Sequence, residues 1–114
     1  MIMERVQVKV NAGICGFVTV VEALSNDGQM VNLKIISPCE TIRKLGDVVT
    51  EVDAYAEIGQ GFDGVLHQAV RKTIKGCCSG CVVPSGIYKA MQVAAHLALP
   101  APATIQFLSE ERNL

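Results

Sequence analysis

Val6, Val8 and Val10 alternate with Arg5, Gln7 and Lys9, the two-residue period of a strand with one face in a core. The run stops at Asn11-Ala12-Gly13. Phe17 to Ala23 is rich in β-branched residues and leads into Ser25-Asn26-Asp27-Gly28, a cluster of strong turn formers. Val31, Leu33 and Ile35 then alternate with Asn32 and Lys34 up to Ile36. The pattern predicts three antiparallel strands, the second and third joined as a hairpin.

Beyond Pro38 the period changes. Ile42, Leu45, Val48 and Val49 share one helical face in a segment starting at Glu40. Asp53 to Ile58 is ambiguous, and Gly59-Gln60-Gly61-Phe62-Asp63-Gly64 reads as a flexible connector, lacking phosphate-loop spacing. Asp63 is the expected cap of a second helix with Val65, Leu66, Ala69, Val70 and Ile74 on its apolar face, ending at Gly76. A third starts with Pro84 as its first residue or Ser85 as its cap and is ended by Pro100 and Pro102. Thr104 to Leu108 alternates again and is expected to be a last strand. Strands followed by helices imply an α+β fold: a two-layer, four-stranded, mostly antiparallel sheet with helices on one face, in the order βββααβ or βββαααβ.

A length of 114 residues fits a single domain, spanning 1–114. A net charge of −1 and only 18% charged residues give no electrostatic footprint for nucleic acid or an acidic membrane surface. The most apolar stretch, Ala90 to Ala103, is interrupted by Gln92, His96, Pro100 and Pro102, which argues against a membrane helix. The Met1 to Val6 start lacks a secretory pattern, so a cytoplasmic location is expected. A mean hydropathy of +0.35 hints at a homo-oligomeric contact.

Cytoplasmic thiols are kept reduced, so five cysteines in such a chain point to metal or redox chemistry rather than disulfides. Three lie in Gly76-Cys77-Cys78-Ser79-Gly80-Cys81; Cys15 follows the first strand and Cys39 the third. If the first strand runs upward, the second descends and the third returns. Cys15 and Cys39 then lie at the upper end. A descending first helix and an ascending second one bring Cys77, Cys78 and Cys81 there too, unless the ambiguous Asp53 to Ile58 segment reverses the second helix. Cys39 and Cys81 also precede helix starts, where backbone N–H groups favour negative charge.

Cys15, Cys39, Cys78 and Cys81, with Cys77 as the alternative to Cys78, could thus supply four thiolates to an Fe–S cluster or to zinc. Single thiols from separate loops favour the cluster, because zinc sites usually draw on two Cys-x-x-Cys pairs and this chain has one. The implied role is electron transfer or delivery of a cluster or metal to a protein redox or metal-transfer partner. Two alternatives stand beside it. One is a dithiol–disulfide redox protein using Cys78 and Cys81, with a thiol pKa depressed at a helix start. The other is a non-catalytic structural or interaction module whose cysteines are merely packed as small hydrophobes. His67 and His96 fall toward the lower end and read as packed or surface imidazoles, Glu40 as a first-turn carboxylate suited to a helix dipole. No Ser-His-Asp arrangement is evident, and whether the chain is an enzyme is left open.

The segments Gly13-Ile14-Cys15-Gly16-Phe17, Cys39-Glu40 and Cys81-Val82-Val83-Pro84-Ser85-Gly86 resemble a family of small prokaryotic domains of unknown function. That family's pattern is Gly-x-Cys-Gly-Phe, Cys-Glu and Cys-Pro-Val-Pro-Ser-Gly. The resemblance covers nearly the whole chain and picks out Cys15, Cys39 and Cys81; Val82 stands where the pattern has proline, and Cys77 and Cys78 are extra to it. It implies no activity.

Overall fold

Alternation builds the sheet. In the computed structural model, which describes residues 4–108, β1 (Glu4–Asn11), β2 (Val18–Ser25) and β3 (Met30–Ile36) pair antiparallel in sequence order. Val8 faces Val21, which faces Ile35, and Val6 faces Ala23, which faces Leu33. One face of the sheet thereby gathers buried Val10, Val21, Ala23, Val31 and Leu33. The β2–β3 turn is fixed by its own polar groups. Asp27 Oδ1 accepts from the Gln29 and Met30 amides at 2.9 and 3.0 Å, and Ser25 Oγ from the Gly28 amide at 2.9 Å.

α1 (Glu40–Val48) buries Ile42 and Leu45 against β3, with Val49 just beyond its end; Val48, expected on the same face, is exposed. The ambiguous segment then resolves. Glu51–Asp53 forms β4, antiparallel to the lower half of β3, and Ala54–Gln60 forms α2. Asp53 caps α2, its Oδ1 accepting from the Tyr55 and Ala56 amides. Gly61–Asp63, expected to be a loose connector, is a short 3-10 turn.

α3 (Val65–Thr73) is not capped by Asp63. Gly64 occupies the cap position, and the helix start is held by Glu57 from α2. Glu57 is 1% exposed, and its two carboxylate oxygens accept from the Val65 and Leu66 amides at 3.0 and 2.9 Å. A buried carboxylate is tolerated here because it is paired with unsatisfied amides at the positive end of a helix dipole. Gly64 is required by closeness: a Cβ there would lie 2.9 Å from Glu57 Oε1.

α4 (Val83–Ala94) carries Pro84 in its first turn, and Ser85 is inside the helix rather than its cap. Its buried Val83, Ile87, Ala90, Met91 and Ala94 lie on β1 and β2. Helices and sheet thus make the expected α+β arrangement, with four helices and a four-stranded antiparallel sheet ordered β1-β2-β3-β4 among the described residues. The fourth strand comes from a different place. Thr104 to Leu108, expected to fill it, joins no strand and is exposed throughout. The reason lies at the end of α4. His96, at φ 63°, donates its amide to Val93 O at 3.0 Å, and the Leu97 amide reaches Gln92 O at 2.8 Å. This left-handed helix ending stops α4 before the prolines and turns the chain away from the sheet. No helix among the described residues is long and apolar enough to cross a membrane.

Candidate functional site

Three loops meet at the end of the sheet where β1 and β3 finish. The first is Ala12–Phe17. Asn11 Oδ1 accepts from the Gly13 amide at 3.1 Å, and the loop is closed by Ala12 N–H to Phe17 O at 3.1 Å and Gly16 N–H to Gly13 O at 2.9 Å. Gly13 and Gly16 have φ of 91° and 76°, a left-handed geometry that residues with a Cβ rarely adopt. Between them Cys15 is displayed on the surface, beside fully exposed Ile14.

The second loop places Cys39 at the N-cap of α1 with an extended backbone. Its amide donates to Ser37 Oγ at 3.1 Å, and Ser37 Oγ also accepts from Thr19 Oγ1 at 2.8 Å. Thr19 and Ser37 are buried, 1% and 8% exposed, so this pair ties the Cys39 loop to β2. Neither residue stood out in the sequence. The signal was local: a serine two positions before a helix-starting cysteine is a side-chain-to-backbone turn motif.

The third is Gly76–Gly80, a 3-10 turn bearing Cys77 and Cys78, with Cys81 at its end. The Cys81 amide donates to Cys78 O at 2.9 Å, and Cys81 Sγ accepts from the Val83 amide at 3.5 Å, at the start of α4. Here the expectation of a depressed thiol pKa needs correction for Cys81. Burial pushes its pKa above the ordinary 9.0; the Val83 amide opposes this, and the neighbouring Cys15, Cys39 and Cys78 add like-charge repulsion. The amides at the helix start are outweighed by desolvation.

Between the loops lies a cavity of about 300 Å³. All five cysteines line it, with Ala12, Ile14 and Phe17 from the first loop, Thr19, Thr41 and Ile42 from β2 and α1, and Ile74, Gly80 and Val83 around the third. Among the described residues, no carboxylate, imidazole, amine or guanidinium lines it. The expected gathering of the cysteines at one end of the sheet is therefore what the chain forms. The feared reversal does not occur: β4 continues the descent of α1, α2 turns at the bottom, and α3 climbs back so that Ile74 reaches the cavity. As they stand, no three Cys, His, Asp or Glu side chains among the described residues are arranged to hold a metal ion. The cysteines surround a space rather than converge on a point.

Cys15, Cys77 and Cys78 are exposed, and Cys39 and Cys81 half-buried. The two histidines lie elsewhere, as expected. His67 packs between Phe62 and Tyr88, with ring centroids at 4.7 and 5.1 Å. His96 Nε2 lies 3.4 Å from Glu4 Oε1. Glu40 pairs with Lys44 one turn along α1 and does not line the cavity.

Comparison with curated proteins and with solved structures returns no match. Over residues 6–107, which include all five cysteines and every strand and helix but the first two residues of β1, the chain matches DUF6951, a family of unknown function, and it belongs to that family.

Proposed function

We propose that the cavity binds an Fe–S cluster through Cys15, Cys39, Cys81 and one of Cys77 and Cys78. The observation that carries this reading is the composition of the wall: five thiols from three loops, no other ionisable group among the described residues, and apolar side chains between them. Soft thiolate donors in a pocket with a largely apolar wall match iron and sulfide chemistry. The donors fit the group in charge as well. Ionising several neighbouring thiols sets like charges against one another, the repulsion felt at Cys81, and metal cations would offset it.

A surrounding rather than converging arrangement favours a polynuclear cluster over one zinc ion, whose bonds of about 2.3 Å draw four sulfurs together. When bound, such a cluster supplies one-electron redox chemistry. The chain's part is to present thiolates, to donate the Val83 amide to the Cys81 sulfur, a contact that tunes cluster potentials, and to keep water off the inner wall with Ile42, Ile74 and Val83. The cavity opens where Cys15, Cys77 and Cys78 are exposed, which suits electron exchange with, or delivery to, a protein partner. A cytoplasmic setting, where thiols stay reduced, belongs to the same reading.

Anaerobic purification or reconstitution with iron and sulfide tests it. Bound iron and acid-labile sulfide in similar amounts, with a broad visible absorbance, are the expected result. Cys15→Ser, Cys39→Ser and Cys81→Ser each abolish it, and either Cys77→Ser or Cys78→Ser retains it. Stoichiometric zinc in a colourless protein would overturn the cluster, and a reversible Cys78–Cys81 disulfide without metal would overturn metal binding altogether.

A further inference from the structure

β1 is a terminal strand of the sheet: it is eight residues long and, among the described residues, paired only with β2. Its outer edge therefore presents a row of unpaired amide and carbonyl groups, a template for another strand. The side chains say the same. Val6 and Val8 point to the helix-covered face, yet are only partly buried, whereas Val21 and Ala23 opposite them on β2 are fully buried. The core is unfinished along this edge.

The same chain carries an unpaired strand. Ile105, Phe107 and Leu108 are 73%, 88% and 85% exposed, and Thr104-Ile105-Gln106-Phe107 has the alternation of a half-buried strand. Added beside β1, it would set Ile105 and Phe107 over Val6 and Val8 and leave Thr104 and Gln106 on the open face with Arg5, Gln7 and Lys9. Its starting point is close: Val93, His96, Leu97, Leu99 and Pro100 share a surface recess with Glu4, the first residue of β1.

We propose that residues 104–108 pair with the β1 edge of a second copy of this chain, the two copies exchanging segments reciprocally. The linker decides between own and partner edge. Pro100 and Pro102 each fix φ near −65° and bias the preceding residue to extended backbone. The linker is thus a stiff spacer of about 3.1 Å per residue that carries the segment outward instead of reversing it onto its own β1. The opposite terminal strand, β4, is only three residues long, so each copy has one long edge, β1, and one such segment, and reciprocal exchange closes as a two-fold dimer. Leu99, Ile105, Phe107 and Leu108 from both copies, at up to about 150–250 Å² for each phenylalanine, together with the surface they cover, bring the buried area to the roughly 1,000 Å² a specific interface needs.

Sedimentation over a wide concentration range, combined with hydrogen exchange, tests this. The protein is expected at twice its 12.2 kDa mass, with amides of residues 4–11 and 104–108 slowed by about tenfold or more in the dimer. Ile105→Asp/Phe107→Asp should return it to 12.2 kDa and release both sets of amides, while it still unfolds cooperatively at a midpoint that no longer depends on protein concentration. Three results would overturn the proposal: a monomer at every concentration, a dimer that survives the double substitution, or protection of residues 104–108 within a monomer, which would show pairing to their own β1. Larger open assemblies would overturn the closed two-fold form.

Discussion

The two ends of the sheet are built from the same strands but handle polarity in opposite ways. At the lower end three carboxylates are answered within the chain, although His67 Nδ1 is buried there with no hydrogen-bond partner among the described residues. Asp27 holds the β2–β3 turn, Asp53 caps α2 and accepts from Gln29 Nε2 at 2.9 Å, and Glu57 seals the start of α3. At the upper end five thiols ring a cavity, and one of them, Cys81, accepts a backbone hydrogen bond at its sulfur. Internal satisfaction marks a structural region. Donors gathered without an internal partner mark a region shaped for something else.

The contrast can be broken first at Glu57. Removing a buried acceptor leaves two helix-start amides unpaired and opens a void, so Glu57→Ala should cost about 2–4 kcal/mol in urea unfolding. Glu57→Gln, which keeps one oxygen acceptor, should cost less. Neither should change the iron content of the folded protein. If Glu57→Ala instead removed iron while leaving stability intact, the division between the two ends would fail.

Thr19→Val tests the upper end, where Thr19 lines the cavity yet has its hydroxyl bonded within the chain. Losing its bond to Ser37 should cost about 1 kcal/mol, roughly 4 °C in melting temperature. Ser37 still accepts from the Cys39 amide, so cluster loading should persist. A variant that is stable but unable to load would show that Thr19 positions Cys39 for binding as well as for folding.

The smallest effect is acidic. The Gln29 and Met30 amides hold the Asp27 carboxyl below its ordinary 3.8, and the Gln29 side chain followed by the Ala56 amide does the same for Asp53. A lowered folded-state pKa contributes stability that is present above the unfolded value and lost as pH falls through the folded one. The urea midpoint should therefore decline below a pH of about 4. Asp27→Asn/Asp53→Asn should flatten that decline, and an unchanged slope would show that these carboxylates do not stabilise the lower end.

Much of this was legible in the chain. Period-two alternation named β1 and β3 because a strand with one buried face has to repeat that way, β-branched composition before a turn cluster named β2, and the helical spacing of Ile42 and Leu45 named α1. The order of those elements was enough to send Cys15 and Cys39 to one end of the sheet. Glu57 was not legible: it caps a helix eight residues away in sequence, and nothing about a glutamate within a helix announces that. Nor was the Thr19–Ser37 hydrogen bond, which joins β2 to the residue just after β3.

Local pattern thus determined the type of each long element, the α+β class and the set of thiols, since these depend on neighbours a few residues apart. Tertiary structure decided which segment closed the sheet. Three residues, Glu51–Asp53, took the edge beside β3 because α1 delivered them there. The better strand by sequence, Thr104 to Leu108, was turned away by the left-handed ending of α4. It decided the Cys81 thiol too, because desolvation depends on what surrounds a sulfur in space, and outweighs the helix-start amides visible from sequence alone.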